Sequence, residues 1–346
     1  MKTTTQRITW LDNAKAIAVI LVVAVHFVQS YCPDLIVVQK IIFSFIMPAW
    51  FVLSGFLFSE KKPFKILIVK KAKSLLLPCV VFSVLLLVYR FAVNILNGSY
   101  GDIFTQIKEN LVSTLLLEND SYFMFYWFFP CLFTANIFLY FIFRFTDKEL
   151  IRALLCLALA GLMLLINNRF GITLPLCADT AGAATVWLYI GHLLKITNIE
   201  KTKFKPFLLF ISFALLLCIN VVMFQLYPEP ENYDSFSILN FVNYGFSALN
   251  GLFGSIFIVM LGFVSEKTRV LAKVGQASSY IYGLHFLLLG AVGTILFHKS
   301  MPNKLLLQIL NTIIACVIIV SVITIFVSIK DKMIYRLKSK WKGSVQ

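Results

Sequence analysis

Residues 10–31 read WLDNAKAIAVILVVAVHFVQSY, and this stretch indicates the fold class of the whole chain. After Lys15 an apolar run continues for about the length that crosses the hydrocarbon core of a bilayer. The run lacks the small-residue exit of a cleaved leader, so we interpret 14–31 as a first membrane-spanning helix. His26 stands out within it, because ionisable side chains inside spanning helices are rare and costly.

The composition of the chain also indicates a membrane protein. Of the 346 residues 60% are hydrophobic and 14% are charged, and the mean hydropathy is +0.87. A soluble domain is about 45–50% apolar and about 25% charged. This excess of apolar side chains is too large for one globular core, so the expected solvent is the lipid bilayer. We predict an all-α polytopic membrane protein with a single membrane-embedded domain, 1–346.

The number of spans follows from the lengths of the apolar runs. Runs of roughly 17–25 residues are long enough to cross the hydrocarbon core as helices. About ten such runs are present, near 14–31, 41–58, 74–96, 122–143, 151–167, 174–194, 206–227, 244–264, 279–297 and 305–329.

The distribution of basic residues predicts the orientation. The net charge of +15 would indicate nucleic acid in a soluble protein, but the loops account for it here and no nucleic-acid partner is expected. Arg90 lies inside the third predicted span and belongs to neither side of the membrane. Suppose that the N-terminus is cytoplasmic. The opposite side of the membrane then carries only Lys40, Lys108, Arg169, Lys299 and Lys304. All other Lys and Arg are cytoplasmic, which predicts a multi-pass protein of the cell membrane with both termini in the cytoplasm.

The first helix contains a candidate site. Lys15 and His26 are eleven residues apart, just over three helical turns, so their side chains share a face with a rise of roughly 16 Å. Lys15 then lies at the cytoplasmic interface and His26 past the middle of the membrane. Asp12, three residues before Lys15, is its neighbour on the helix surface and a structural partner for it. Two roles fit His26: proton transfer near neutral pH, or a hydrogen bond to a neighbouring helix.

Other ionisable groups are interpreted more simply. His192 lies beside Lys195 at the cytoplasmic end of a predicted span, where it is expected to reach the interface. His298 belongs to an outer loop. The seven cysteines are scattered without metal-ligand spacing, so no metal is expected.

Two further patches follow the first helix. In the second span Pro48 frees a backbone carbonyl, and Ser54-Gly55 is a small pair that allows close helix approach. The next loop contains basic residues directly before the third span: Lys70, Lys71 and Lys73. Such a cluster is either a solvated stop signal or a phosphate clamp.

Together these patches resemble the membrane acyltransferase-3 family, nearest to its fucose 4-O-acetylase-like branch. The family signature in the first helix is a basic residue, ten residues and a histidine, which Lys15 and His26 match. FSFIMPAWFVLSGFLF at 43–58 resembles the second-helix motif. Lys70 and Lys73 match a basic-x-x-basic motif that is commonly arginine, a residue better suited to bidentate phosphate binding.

Two more segments carry the resemblance, which extends over nearly the whole chain. YWFFPCLF at 126–133, with Trp127, resembles the family's Trp-Phe-Leu segment. SYIYGLH at 279–285 resembles a ninth-helix pattern that ends in histidine, here His285. Trp127, Tyr282 and His285 are therefore expected at the acceptor pocket.

The resemblance implies an O-acyltransferase with acetyl-CoA, or another acyl-CoA, as donor and a hydroxyl of a cell-surface or lipid-linked glycan as acceptor. His26 would act as general base. Lys15, Lys70, Lys71 and Lys73 would bind the phosphates of the donor. Direct transfer and an acyl-histidine intermediate both fit this arrangement.

Two other classes compete with the enzyme. A secondary transporter or flippase for a polysaccharide precursor usually has paired halves with interrupted helices in corresponding positions. Pro48, Pro78, Pro130 and Pro175 lie in the first half, and the second half has no matching set. An inactive scaffold of a glycan-export complex would leave Lys15 and His26 without a role.

Overall fold

The computed structural model describes residues 7–61, 63–96, 126–170, 174–226, 241–296 and 304–343, and within these ranges the chain is helical with no strand. A helix satisfies its own backbone N–H and C=O groups, which the interior of a bilayer requires. The predicted all-α fold is confirmed. The segments 97–121 and 228–240, which lie between predicted spans, are outside the described residues, as is His298.

Eleven helices occur in the described ranges. They are α1 (Thr9–Tyr31), α2 (Ile36–Phe56), α3 (Phe64–Leu96), α4 (Phe128–Phe145), α5 (Glu149–Phe170), α6 (Ala178–Ile196), α7 (Lys205–Leu226), α8 (Phe241–Val264), α9 (Arg269–Gln276), α10 (Ser278–Leu296) and α11 (Leu305–Gly343).

Each predicted span overlaps one helix of this set. Eight helices are long and apolar enough to cross a membrane, namely α1 to α5, α7, α10 and α11. In α8 the apolar part is shorter, Ala248–Val264. Helix α6 is less apolar because it contains Asp179, His192 and Lys195. The total of ten spans and the cytoplasmic termini stay predictions. Helix α9 was not predicted, since eight residues are too few for a search by apolar length.

Helix α3 contains a wide turn beside the basic cluster. Residues Ala72–Leu76 form one π-helical turn, in which the N–H of Leu77 donates to the carbonyl of Ala72. Pro78 follows immediately and has no N–H to donate to the preceding turn. Such π-turns inside α-helices are frequently found at functional sites. The turn lies between Lys71 and the apolar remainder of the helix.

The chain forms two compact units, which are described separately. The first comprises Met1–Phe43 and Phe257–Gln346, and the second comprises Ser44–Ile256. In the first unit α1 packs against α9, α10 and α11, and most of its apolar side chains are buried. The ring of Trp10 lies 4.3 Å from that of Phe263 between centroids. A β-carbon at Gly275 would overlap the backbone of Asp12, so only glycine permits this approach of α9 to α1.

In the second unit α2 and α6 approach closely through glycines. A β-carbon at Gly191 would overlap the backbone of Val52, and one at Gly55 would overlap the backbone of Leu188. The predicted close approach at the Ser54-Gly55 pair is present in the structure. Helices in membranes associate through small residues of this kind because lipid offers no hydrophobic driving force between them.

The turn between α4 and α5 is held by one buried cation. The Arg152 guanidinium donates to the carboxylates of Glu149 at 2.6 Å and Asp147 at 3.2 Å, and to the carbonyl of Thr146 at 2.8 Å. It also lies 4.0 Å from the ring centroid of Phe143. A buried charge with this many partners is a structural feature rather than a free binding group.

Candidate active site

Helix α1 places His26 in the first unit, where aromatic rings surround it. The imidazole is only partly buried. Its centroid lies 5.3 Å from that of His285, with an angle of 29° between the stacked rings, and 4.8 Å from that of Phe286. Phe43, from the start of α2, contacts it edge-on at 5.8 Å. The tertiary structure thus brings together the two histidines that the sequence analysis selected from opposite ends of the chain.

His285 is fully buried, and its hydrogen bonds define which nitrogen carries the proton. Nδ1 lies 2.8 Å from the carbonyl oxygen of Tyr282 and 3.1 Å from that of Ile281. Carbonyl oxygens only accept, so Nδ1 is the donor and the lone pair of the neutral ring is on Nε2. Among the described residues Nε2 has no hydrogen-bond partner. The stacked pair therefore contains one buried nitrogen that is able to accept a proton or a hydrogen bond.

The other end of the α1 face carries Lys15. Because α1 is continuous from Thr9 to Tyr31, Lys15 and His26 share one helical face, offset by about 20°. Asp12 attracts Lys15 electrostatically. Its Oδ2 also accepts a hydrogen bond of 3.4 Å from Gln276, at the end of α9. Asp12 thus belongs to the packing of α1 as well as to the environment of Lys15.

Tyr282 lies one helical turn before His285 on α10. Its ring is 7% exposed and its centroid is 6.1 Å from that of His285. Through its carbonyl it also orients the imidazole. Of the residues predicted at the acceptor pocket, Tyr282 and His285 are thus in the first unit with His26.

The remaining predicted site residues belong to the second unit. Lys70, which precedes the π-turn, and Lys73, which lies within it, are exposed, and Lys71 is partly buried. Trp127 precedes the first residue of α4, and its carbonyl accepts the N–H of Cys131. Ser54 is partly buried near the end of α2.

One histidine was interpreted wrongly. His192 does not reach an interface, because its exposed fraction is 6% and aromatic rings enclose it. Phe143 contacts it edge-on at 4.7 Å, Phe58 lies at 6.4 Å and Tyr189 at 6.4 Å. Its neighbour Lys195 instead turns toward the end of α2, where it donates to the carbonyl of Phe58 at 3.1 Å. His192 is buried because α2, α4 and α6 pack around it, although it lies near the end of α6.

The chemistry available here is that of imidazoles. Among the described residues no group of three or more His, Cys, Asp or Glu is placed to hold a metal ion. The His26–His285 pair, partly exposed on one ring and buried on the other, is suited to proton transfer. The fold is that of a helical membrane protein, and the histidine pair on α1 and α10 is its candidate site.

Comparison with known proteins gives the family. The model of the acyltransferase-3 family, described as an acyltransferase domain, matches residues 8–329, which is nearly the whole chain. The chain therefore belongs to this family and is a membrane acyltransferase. Neither a curated protein nor a solved structure matches it.

Proposed function

We propose that the protein is an O-acetyltransferase of the cell membrane, of the fucose 4-O-acetylase-like kind. It moves the acetyl group of cytoplasmic acetyl-CoA to a hydroxyl of a cell-surface or lipid-linked glycan. The observation that carries this proposal is His26, a partly exposed imidazole inside a membrane helix, stacked on the buried His285. An acyltransferase that uses a hydroxyl acceptor needs a base at the hydroxyl, and imidazole is the side chain best suited to that task near neutral pH.

In the proposed reaction His26 takes the proton from the acceptor hydroxyl as its oxygen attacks the thioester carbonyl. The tetrahedral intermediate collapses, the carbon–sulfur bond breaks, and the imidazolium returns the proton to the departing thiolate. The products are the acetyl ester and free CoA. General-base catalysis of this kind typically contributes ~10²–10⁴-fold to the rate.

The donor is proposed to enter from the cytoplasm. Its phosphates would bind Lys15 and the basic cluster Lys70, Lys71 and Lys73, and its pantetheine arm would extend along α1 toward His26. The rise of roughly 16 Å between Lys15 and His26 supports this arrangement, since the arm separates the phosphates from the thioester. Asp12 would position Lys15, and Trp127 and Tyr282 would line the acceptor pocket.

The decisive experiment uses the full chain in proteoliposomes supplied with labelled acetyl-CoA and surface glycan from which O-acyl groups have been removed by mild alkali. We expect His26→Ala to lower kcat for glycan acetylation by at least ~10²-fold, because the base is lost. The matched control is His298→Gln, which changes a histidine of the predicted outer loop and should retain wild-type turnover.

Two outcomes would contradict the proposal. Full turnover by His26→Ala would remove the base from the mechanism. Movement of glycan precursor across the liposome membrane by the wild-type protein, without any acetylated product, would favour the transporter. Mass spectrometry of the glycan distinguishes the two, because each acetyl ester adds a fixed mass.

A further inference from the structure

The first turns of α2 expose apolar side chains and bury a polar one, which is the reverse of a helix in a water-soluble protein. Ile36, Val37 and Val38 are exposed, whereas the next residue, Gln39, is only 6% exposed. In a membrane protein this orientation is expected, with apolar side chains toward lipid and the polar one toward the protein interior. The Oε1 atom of Gln39 is buried without a hydrogen-bond partner among the described residues.

Gln39 lies one helical turn from Phe43, the residue of α2 that contacts His26. It precedes Phe43 by four residues and therefore shares its face, about one turn away. Phe43 contacts the ring of His26. Along α2, Gln39 is one turn nearer than Phe43 to the Pro33–Leu35 turn that follows the end of α1, which indicates the side of His26 away from Lys15. Gln39 is thus on the side from which an extracytoplasmic acceptor would approach.

A second unpartnered carboxamide oxygen occurs at the same end of the first unit. Gln308, on α11, is 3% exposed, and its Oε1 has no partner among the described residues. Its Nε2 donates to Oδ2 of Asp34 at 2.8 Å, in the turn Pro33–Leu35 that connects α1 to α2. The Asp34 bond therefore defines which end of the carboxamide is left free.

Both orphan atoms are acceptors, which restricts the ligand that satisfies them. A buried carbonyl oxygen without a partner is costly, and a ligand with O–H groups removes that cost on binding. The acetyl and thioester groups of the donor, which are proposed to lie nearest His26, have no O–H or N–H group and cannot do so. The amide and hydroxyl groups of the pantetheine arm can donate, but in the proposed arrangement they extend from His26 toward Lys15, away from Gln39. We infer that Gln39 and Gln308 form a subsite for a polyhydroxylated acceptor, a sugar, in which each carboxamide oxygen accepts one sugar hydroxyl beside His26.

This inference rests on the proposed function, and kinetics with two substrates tests it separately. In Gln39→Met the side-chain length is kept and the acceptor oxygen is lost. We expect KM for the de-O-acylated glycan to rise roughly 3- to 10-fold, the usual effect of one neutral hydrogen bond. KM for acetyl-CoA and the rate of acetyl-CoA hydrolysis by water should stay at the wild-type values. Gln308→Met should raise the same KM.

Protein stability separates this role from a structural one. Removing an unpartnered buried oxygen is expected to leave the unfolding temperature of Gln39→Met in detergent unchanged or higher. The matched control is Gln225→Met, the same substitution at an exposed position of α7, which should change neither KM. Gln39→Asn, which retains the carboxamide, should recover part of the glycan affinity.

The outcomes are distinct. An unchanged glycan KM in both Met variants, with an active wild type, would overturn the subsite and leave the proposed function intact. A rise in KM for acetyl-CoA instead of the glycan would assign these residues to the donor and also overturn the inference. If the wild type acetylates no glycan, the proposed function fails and the sugar subsite fails with it.

Discussion

His285 presents an unshared nitrogen lone pair to the interior of the first unit, next to the ring of His26. His285→Phe keeps a ring stacked on His26 and removes that lone pair. We expect kcat for glycan acetylation to fall about 10-fold or more, because the variant has no lone pair with which to accept a hydrogen bond from the reacting groups. KM for acetyl-CoA should change little. The measurement is steady-state kinetics in proteoliposomes.

The control for this variant is His192→Phe, the same substitution at the other buried histidine, which lies within the aromatic rings of the second unit. It should retain wild-type kcat. If His285→Phe also kept full activity, the His285 ring would be a packing element only.

Lys15 tests the direction from which the donor enters. Lys15→Met removes the charge proposed to bind phosphate, and we expect KM for acetyl-CoA to rise about 10-fold or more, since hydrogen bonds to charged groups are the stronger ones. Lys15→Arg should keep most of the affinity. Acetyl-pantetheine, which has no phosphates, provides the internal comparison. If the KM for acetyl-pantetheine rose equally, the interaction of Lys15 with phosphate would be excluded.

At the scale of helices, the close approach of α2 and α6 depends on Gly191. Gly191→Ala would place a β-carbon against the backbone of Val52, which cannot rotate away as a side chain does. The helices must separate, and overpacking of this kind typically costs about 1–3 kcal/mol. We expect a lower unfolding temperature for the protein in detergent.

Gly161 provides the control for this effect. It lies within α5, where an added β-carbon would meet nothing within 4 Å. Gly161→Ala should be neutral or stabilise the protein by roughly 0.5–1 kcal/mol, because alanine loses less backbone freedom in a helix. Equal unfolding temperatures for the two variants would show that α2 and α6 do not require glycine at their contact.

For the whole molecule, the unequal distribution of Lys and Arg between the two sides of the membrane predicts a topology that can be tested. Reporter fusions that are active only in the cytoplasm should be active after residue 343 and inactive within 97–121. We expect the inverse pattern for a reporter active only outside. An outward C-terminus would mean either an odd number of spans, or an even number with the N-terminus also outside, which would place Lys15 on the wrong side for a cytoplasmic donor.

Much of the architecture was predictable because its cause is local. Long apolar runs must become helices in lipid, and each predicted span overlaps one helix. One exception has a local reason and the other a tertiary one. Helix α9 is too short to be found by apolar length, and the proximity of His192 to Lys195 suggested an exposed side chain that packing with Phe143 in fact buries.

The candidate site was predictable only in part. The spacing of Lys15 and His26 determines their shared face, since helical geometry depends on residue number alone. The polarity of Gln39 beside Ile36, Val37 and Val38 is consistent with its burial, but its unpartnered oxygen is visible only when the neighbouring helices are in place.

The sequence by itself determined that this protein is helical, embedded in a membrane and supplied with an intramembrane histidine on the face of a lysine. Only the tertiary structure decided that His285 stacks on His26 and which of its nitrogens is unshared. The physical reason is the range of the interactions. Hydropathy and helical periodicity act over a few turns, whereas the contact between α1 and α10 depends on how side chains from distant parts of the chain pack.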